Sequence, residues 1–157
     1  MRSVQEWLDL YGESHQNPVN KKIHWFCVPA IMFSITGLWW SIPHKEMPLI
    51  FFDIQLNWAI LLTIFISFYY IWLSLSLAVG MFFISLLLLI GNYFLDISFN
   101  FPLWKISLII FVIAWIGQFI GHKIEGKKPS FFEDIQFLLI GPAWLLSFIY
   151  NKLGIKY

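Results

Sequence analysis

Long apolar stretches alternate with short polar ones along this chain, and the polar residues gather where the apolar runs end. From Ile23 to about Ile42 the chain is nearly uncharged, close to the ~20 residues that cross a hydrocarbon core about 30 Å thick. Pro43 to Pro48 reads as a loop. The next apolar run, from about Leu56 to Leu95, is roughly twice the length of one span, so it must fold back, and Ser74 to Ser76 is the expected place. Asp96 to Pro102 forms another short loop. Leu103 to about Ile120 is then a fourth span, opening with Trp104 and Lys105 at interface depth. A last apolar segment, Ile135 to Tyr150, is short and contains Gly141-Pro142, so it spans thinly, kinks or re-enters. The pattern predicts an all-α, multispanning bundle of about four transmembrane helices plus this C-terminal segment.

Ahead of the first span, residues 4 to 15 place Val4, Trp7, Leu8 and Tyr11 at i, i+3, i+4 and i+7, with Glu6, Asp9 and Glu13 elsewhere on the wheel. That periodicity predicts a short amphipathic helix lying along the membrane surface. Asn17-Pro18 ends it and can start the next helix, Asn17 as cap and Pro18 as first helical residue. The turn lets His15 and His24 approach each other. Three carboxylates within the first 22 residues do not suit a cleaved signal or transit peptide, so the first apolar segment is expected to remain. Gly154 to Tyr157 matches no retention or lipidation signal.

Composition strengthens this picture. With 59% hydrophobic and 12% charged residues, the chain is far more apolar than a soluble domain and reads as an integral membrane protein, its partner the lipid bilayer. No linker-like or charge-rich stretch divides it, so residues 1–157 form one domain. A net charge of +1, with ten basic residues dispersed at segment ends, leaves no footprint for nucleic acid. Cys27, the single cysteine, excludes an intramolecular disulfide and reads as a small buried apolar residue. Asp53 and Asp96 read as solvated loop charges.

Charge decides which segments share a side. Arg2, Lys21 and Lys22 precede the first span, and Lys123, Lys127 and Lys128 follow the fourth. An even number of crossings puts both clusters on one face, as the positive-inside rule prefers. His15, His24, His122 and Glu125 then converge at the cytoplasmic boundary, and His44 falls on the opposite side. Asn20 and His24 share one helical face, while Gln118, His122 and Glu125 stand at i, i+4 and i+7 on another.

Two readings of these polar stripes stand. In one, the histidines are interface residues hydrogen-bonded to backbone or headgroups in a non-enzymatic transport or assembly component. In the other, polar groups at membrane depth face a bundle interior, and three neutral imidazoles hold Fe(II), Zn(II) or a related ion with coordination positions left open. Glu125 is then a fourth ligand or a carboxylate holding an imidazole N–H. Lys127 and Lys128 are membrane anchors that would also meet an incoming carboxylate or phosphate. A histidine-box di-iron centre needs about twice as many ligands as four histidines provide. A bis-histidine haem on His24 and His122 is sterically conceivable.

Tyr11-x-x-x-His15-x-x-x-x-Asn20-x-x-x-His24 followed by Val28-Pro29, and Trp115-x-x-Gln118-Phe119-x-Gly121-His122 followed by Glu125, Lys127 and Pro129, resemble the Mpo1-like family of small multispanning membrane proteins. The resemblance covers residues 11 to 36 and 115 to 142. It implies an Fe(II)-dependent dioxygenase that shortens 2-hydroxy fatty acids by one carbon, a fatty acid α-oxidation, with O₂ as co-substrate; a substrate that itself chelates the metal makes 2-oxoglutarate unnecessary. It puts the essential metal-binding histidines at His15, His24 and His122; Zn(II), which the Irving–Williams order favours over Fe(II), is the expected surrogate ion, and Glu125, one turn beyond His122, is a further catalytic candidate. Asn20, Gln118 and Lys127 are the candidate substrate contacts. Three histidines fill three of six positions, two remain for a carboxylate oxygen and the 2-hydroxyl, and one for O₂. Short loops and the lack of targeting signals point to a bacterial cytoplasmic membrane rather than the endoplasmic reticulum.

Overall fold

The computed structural model describes residues 2–43, 47–51, 54–128 and 136–157. Helix α1, Val4–Glu13, begins at a capping box: the Ser3 hydroxyl accepts from the Glu6 N–H, and the Glu6 carboxylate accepts from the Ser3 N–H. The predicted apolar face forms, with Trp7, Leu8 and Tyr11 buried. Its partner differs from the expectation of a helix lying on the membrane surface. Trp7 and Tyr11 pack on Phe137, with ring centroids 5.5 and 5.9 Å apart, and Tyr11 packs on Trp144 at 5.4 Å. The face that would have entered lipid is covered by protein.

Helix α2, Pro18–Trp40, starts as its sequence signals: the Asn17 side chain accepts from the Val19 and Asn20 N–H groups, and Pro18 occupies the first turn. The connection to the next helix carries a feature that short polar loops do not announce. Strands β1, Leu49–Phe51, and β2, Ile54–Gln55, pair antiparallel with Leu49 opposite Gln55. His44 and Asp53 lie outside the described residues.

The doubled apolar run folds back at one residue. Helix α3, Trp58–Leu73, and helix α4, Leu75–Ser98, meet at Ser74, whose N–H donates to Tyr70 while its hydroxyl accepts from the Leu77 N–H. One serine thus ends one helix and caps the next. Helix α4 runs past Asp96, which is exposed but accepts from the Trp40 indole N–H at 3.3 Å. Its charge therefore joins the ends of α4 and α2 instead of being freely solvated. Helix α5, Leu103–Glu125, likewise continues beyond Ile120, so His122 lies in its last turn; Gly126, at φ +74°, ends it in the left-handed conformation that glycine adopts without strain.

Helices α2, α4 and α5 are long and apolar enough to cross a membrane. At 16 residues α3 is shorter, about 24 Å by the helical rise, yet it returns the chain across the bundle. Trp40 at the end of α2, Ala59 at the start of α3 and Leu103 at the start of α5 share one cluster. The start of α2 and the end of α5 meet at the opposite end, together with the α3–α4 turn. Lys21 and Lys22 at the start of α2 and Lys123 at the end of α5 thus lie at one end of the bundle.

Helices α2 and α5 approach closely because small residues line their contact. A Cβ on Gly117 would meet the Cys27 sulfur, one on Gly121 the Asn20 Oδ1, and one on Gly37 both Ser107 and Asn92. Cys27 is half-buried in this seam.

The segment left open between spanning, kinking and re-entering is a continuous helix, α6, Phe137–Leu153, with Pro142 inside it. More than half of its residues are buried, against 22–28% in the most apolar windows of the three long spans. It lies against the end of the bundle where α2 begins. Tyr70 donates to the Leu139 carbonyl at 2.7 Å and Tyr150 to the Ser76 carbonyl at 2.8 Å, tying α6 to the α3–α4 turn. Phe26, Phe65, Phe68, Phe83 and Leu87 stay exposed on the spans, the apolar surface that a bilayer covers.

Candidate metal centre

His15 sits in the turn between α1 and α2, His24 in the second turn of α2, and His122 in the last turn of α5. Helix pairing brings all three together. Ring centroids are 4.2 Å apart for His15 and His24, 4.9 Å for His15 and His122, and 5.0 Å for His24 and His122. One possible ligand atom from each lies within 4.8 Å of the others. The three are 0%, 1% and 4% exposed, so their rings face the protein interior.

Hydrogen bonds define two of the tautomers. His15 Nδ1 lies 2.6 Å from the Tyr11 carbonyl oxygen, and His24 Nδ1 lies 2.9 Å from that of Asn20. A carbonyl can only accept, so each Nδ1 carries the proton and each Nε2 presents a lone pair. Those two Nε2 atoms face each other at 2.9 Å. Two neutral rings so arranged repel unless a cation lies between them. A shared proton would require an imidazolium, and burial, reinforced by neighbouring His24, lowers the His15 pKa from 6.5 to about 3. A divalent metal would fit the arrangement: two metal–nitrogen bonds of about 2.1 Å at a right angle separate their nitrogens by about 3 Å. His122 Nδ1 is buried without a hydrogen-bond partner, a further polar atom that a ligand could satisfy. Three rings this close leave no gap for a porphyrin between His24 and His122.

The surrounding groups hold this geometry. The Tyr11 ring stacks on His15 at 4.1 Å, and Trp144 lies 5.2 Å from the same imidazole. Tyr11 belongs both to the apolar face of α1 and to the Tyr11-x-x-x-His15 motif, and only the folded turn stacks its ring on the imidazole. Trp144 gave no signal, because nothing local links α6 to the first turn.

Glu125 sits beside the histidines, and both its oxygens are engaged. Oε1 accepts from the Gln16 N–H at 2.8 Å, and Oε2 accepts from the Asn17 N–H at 2.9 Å and Asn20 Nδ2 at 3.0 Å. Among the described residues, the ligand group comprises only the three histidines. Asn20 is fully buried and also donates to the Ser14 carbonyl, while its Oδ1 faces Gly121 without a partner. Gln118 is buried beside His24 and, with His122, borders an apolar cavity. The Lys127 ammonium donates to the Glu13 carbonyl at 2.8 Å, at the negative end of the α1 dipole.

No solved structure matches this chain. The 2-hydroxy-palmitic acid dioxygenase MPO1 of Saccharomyces cerevisiae is 31% identical over 154 residues, covering 96% of this chain and 82% of the yeast protein. Residues 1–153 match the family model described as 2-hydroxy-palmitic acid dioxygenase Mpo1-like, and the chain belongs to that family.

Proposed function

We propose that this chain is a non-haem, Fe(II)-dependent dioxygenase that removes one carbon from 2-hydroxy fatty acids without 2-oxoglutarate. The observation that carries this reading is the pair of Nε2 lone pairs facing each other at 2.9 Å, with His122 closing the group. Iron(II) bound by His15, His24 and His122 would supply dioxygen activation and an electrophilic centre for a carboxylate and its adjacent hydroxyl.

The protein supplies the setting for that chemistry. Backbone carbonyls of Tyr11 and Asn20 hold His15 and His24 in the tautomer that leaves Nε2 free. Burial keeps His15 neutral and excludes water, which limits side reactions of activated oxygen. Gln118 can donate its amide to the substrate carboxylate from the cavity edge. Lys127 and the other lysines at this end attract the acid toward a site that faces the cytoplasm by the positive-inside rule.

The test is to purify the protein anaerobically, load it with Fe(II), and add O₂ and a labelled 2-hydroxy fatty acid. A product one carbon shorter, formed without 2-oxoglutarate and abolished in His122→Ala, is the expected result. Stoichiometric iron binding with no shortening of any 2-hydroxy acid would overturn the reading.

A further inference from the structure

A cavity of about 90 Å³ lies between α2, α5 and α6, and its lining changes character along its length. Gln118 and His122, one helical turn apart on α5 and both buried, form the polar end. Trp115, another turn deeper on α5, with Ile31 and Ile35 on α2, forms the apolar part. The stretch from His122 to Trp115 covers about 10 Å by the helical rise. A ligand matching this lining has a polar head at the histidines and an unbranched apolar body directed along the helices toward the bilayer centre.

The volume limits how much of such a body fits. A cavity of about 150 Å³ accommodates benzene, so 90 Å³ takes only part of a long alkyl chain. The remainder must leave. Ile31, Ile35 and Trp115 are only half-buried, and Leu138, at the α6 side, is exposed. All four are apolar, so the open side has a rim suited to lipid rather than water.

We propose that this cavity is the acyl-tail site and that it opens laterally into the bilayer, so that the substrate enters from the leaflet and Ile35 limits how its tail can lie. The proposal rests on the 2-hydroxy fatty acid reading above. It adds an entry route and a residue that sets chain-length preference.

Binding tests this without turnover. Metal-free full-length protein in lipid nanodiscs is titrated with a 2-hydroxy fatty acid brominated in mid-chain, and tryptophan fluorescence is followed. Bromine should quench part of the emission, and Trp115→Phe should remove that part although eight other tryptophans remain of the nine. Ile35→Trp, which fills the cavity, should weaken binding of the brominated chain about tenfold, the effect of losing contact with roughly two methylenes. In the iron-loaded enzyme the same variant should move the preferred chain length downward, raising KM for long acids more than for short ones.

Metal binding by Ile35→Trp serves as the check on its fold. Should that variant not bind metal, Leu138→Trp at the exposed rim asks the same question. Wild-type quenching and wild-type chain-length preference in a metal-binding blocked variant would overturn the tail site. Normal quenching by a protein that turns over no 2-hydroxy acid would instead overturn the reaction and leave the cavity assignment standing.

Discussion

The Glu125 carboxylate accepts from Asn20 Nδ2 at 3.0 Å, and so fastens the last residue of α5 to the first turn of α2. The same carboxylate takes the Gln16 and Asn17 N–H groups. His15 immediately precedes these two residues and His24 follows Asn20 by one turn, while His122 lies one turn before Glu125. The carboxylate therefore controls the relative placement of all three imidazoles without needing to touch a metal.

Replacing Glu125 with alanine should loosen the site rather than dismantle the bundle. Metal affinity is expected to fall about 10- to 100-fold, the usual effect of removing a group that orients ligands. Glu125→Gln, which keeps an acceptor oxygen, should recover part of it. Metal titration of the two variants decides the matter, and wild-type affinity in Glu125→Ala would refute the role.

One metal ion per chain is expected in the wild type. His15→Ala, His24→Ala and His122→Ala should each abolish tight binding with helical content retained. His44→Ala should bind normally, as expected of a histidine that charge parity puts one crossing away from the other three. Metal analysis after gel filtration, beside circular dichroism, reads both quantities.

Acid should destabilise the metal-free protein through His15. Its pKa of about 3 in the folded chain lies below the ordinary 6.5, so the unfolded chain binds the additional proton between those values. Stability from this group is complete above about pH 6.5 and declines as pH falls toward 3, by at most about 1.4 kcal/mol per pH unit. Substituting phenylalanine for His15 should flatten the dependence of unfolding on pH in that window. An unchanged slope would show that the imidazole is not held neutral.

Two glycines separate packing from function. Gly37→Ala would press a methyl group on Ser107 and Asn92, and overpacking of this kind costs about 1–3 kcal/mol. Its lower resistance to denaturant should come without altered metal affinity. Gly121→Ala would instead displace Asn20, and through it Glu125, so metal affinity should fall as well. Equal effects of the two on metal binding would contradict this division.

Helix number, the fold-back at Ser74 and the shared side of the histidines were all legible as apolar length, turn chemistry and basic flanks. These signals are local, or need only parity. The burial of α6 was not legible, because hydropathy alone does not distinguish a helix facing lipid from one facing protein. The same ambiguity concealed why α1 is amphipathic: its apolar face serves Phe137 and Trp144, distant in sequence. For the site, the residue types that converge were apparent, while the tautomers of His15 and His24 depend on backbone carbonyls that carry no mark in the sequence. Likewise, the Glu125 carboxylate meets main-chain N–H groups, which every non-proline residue possesses.

The clasp between the α1–α2 turn and the end of α5 also orders events during synthesis. Gln16 and Glu125 stand 109 residues apart, so His15 and His24 leave the ribosome well before the strand of chain that completes their site. A nascent protein cannot bring the three histidines together until α5 has packed against α2. Early chains thus carry only two of the three histidines of the proposed centre, and a product truncated before α5 would lack His122.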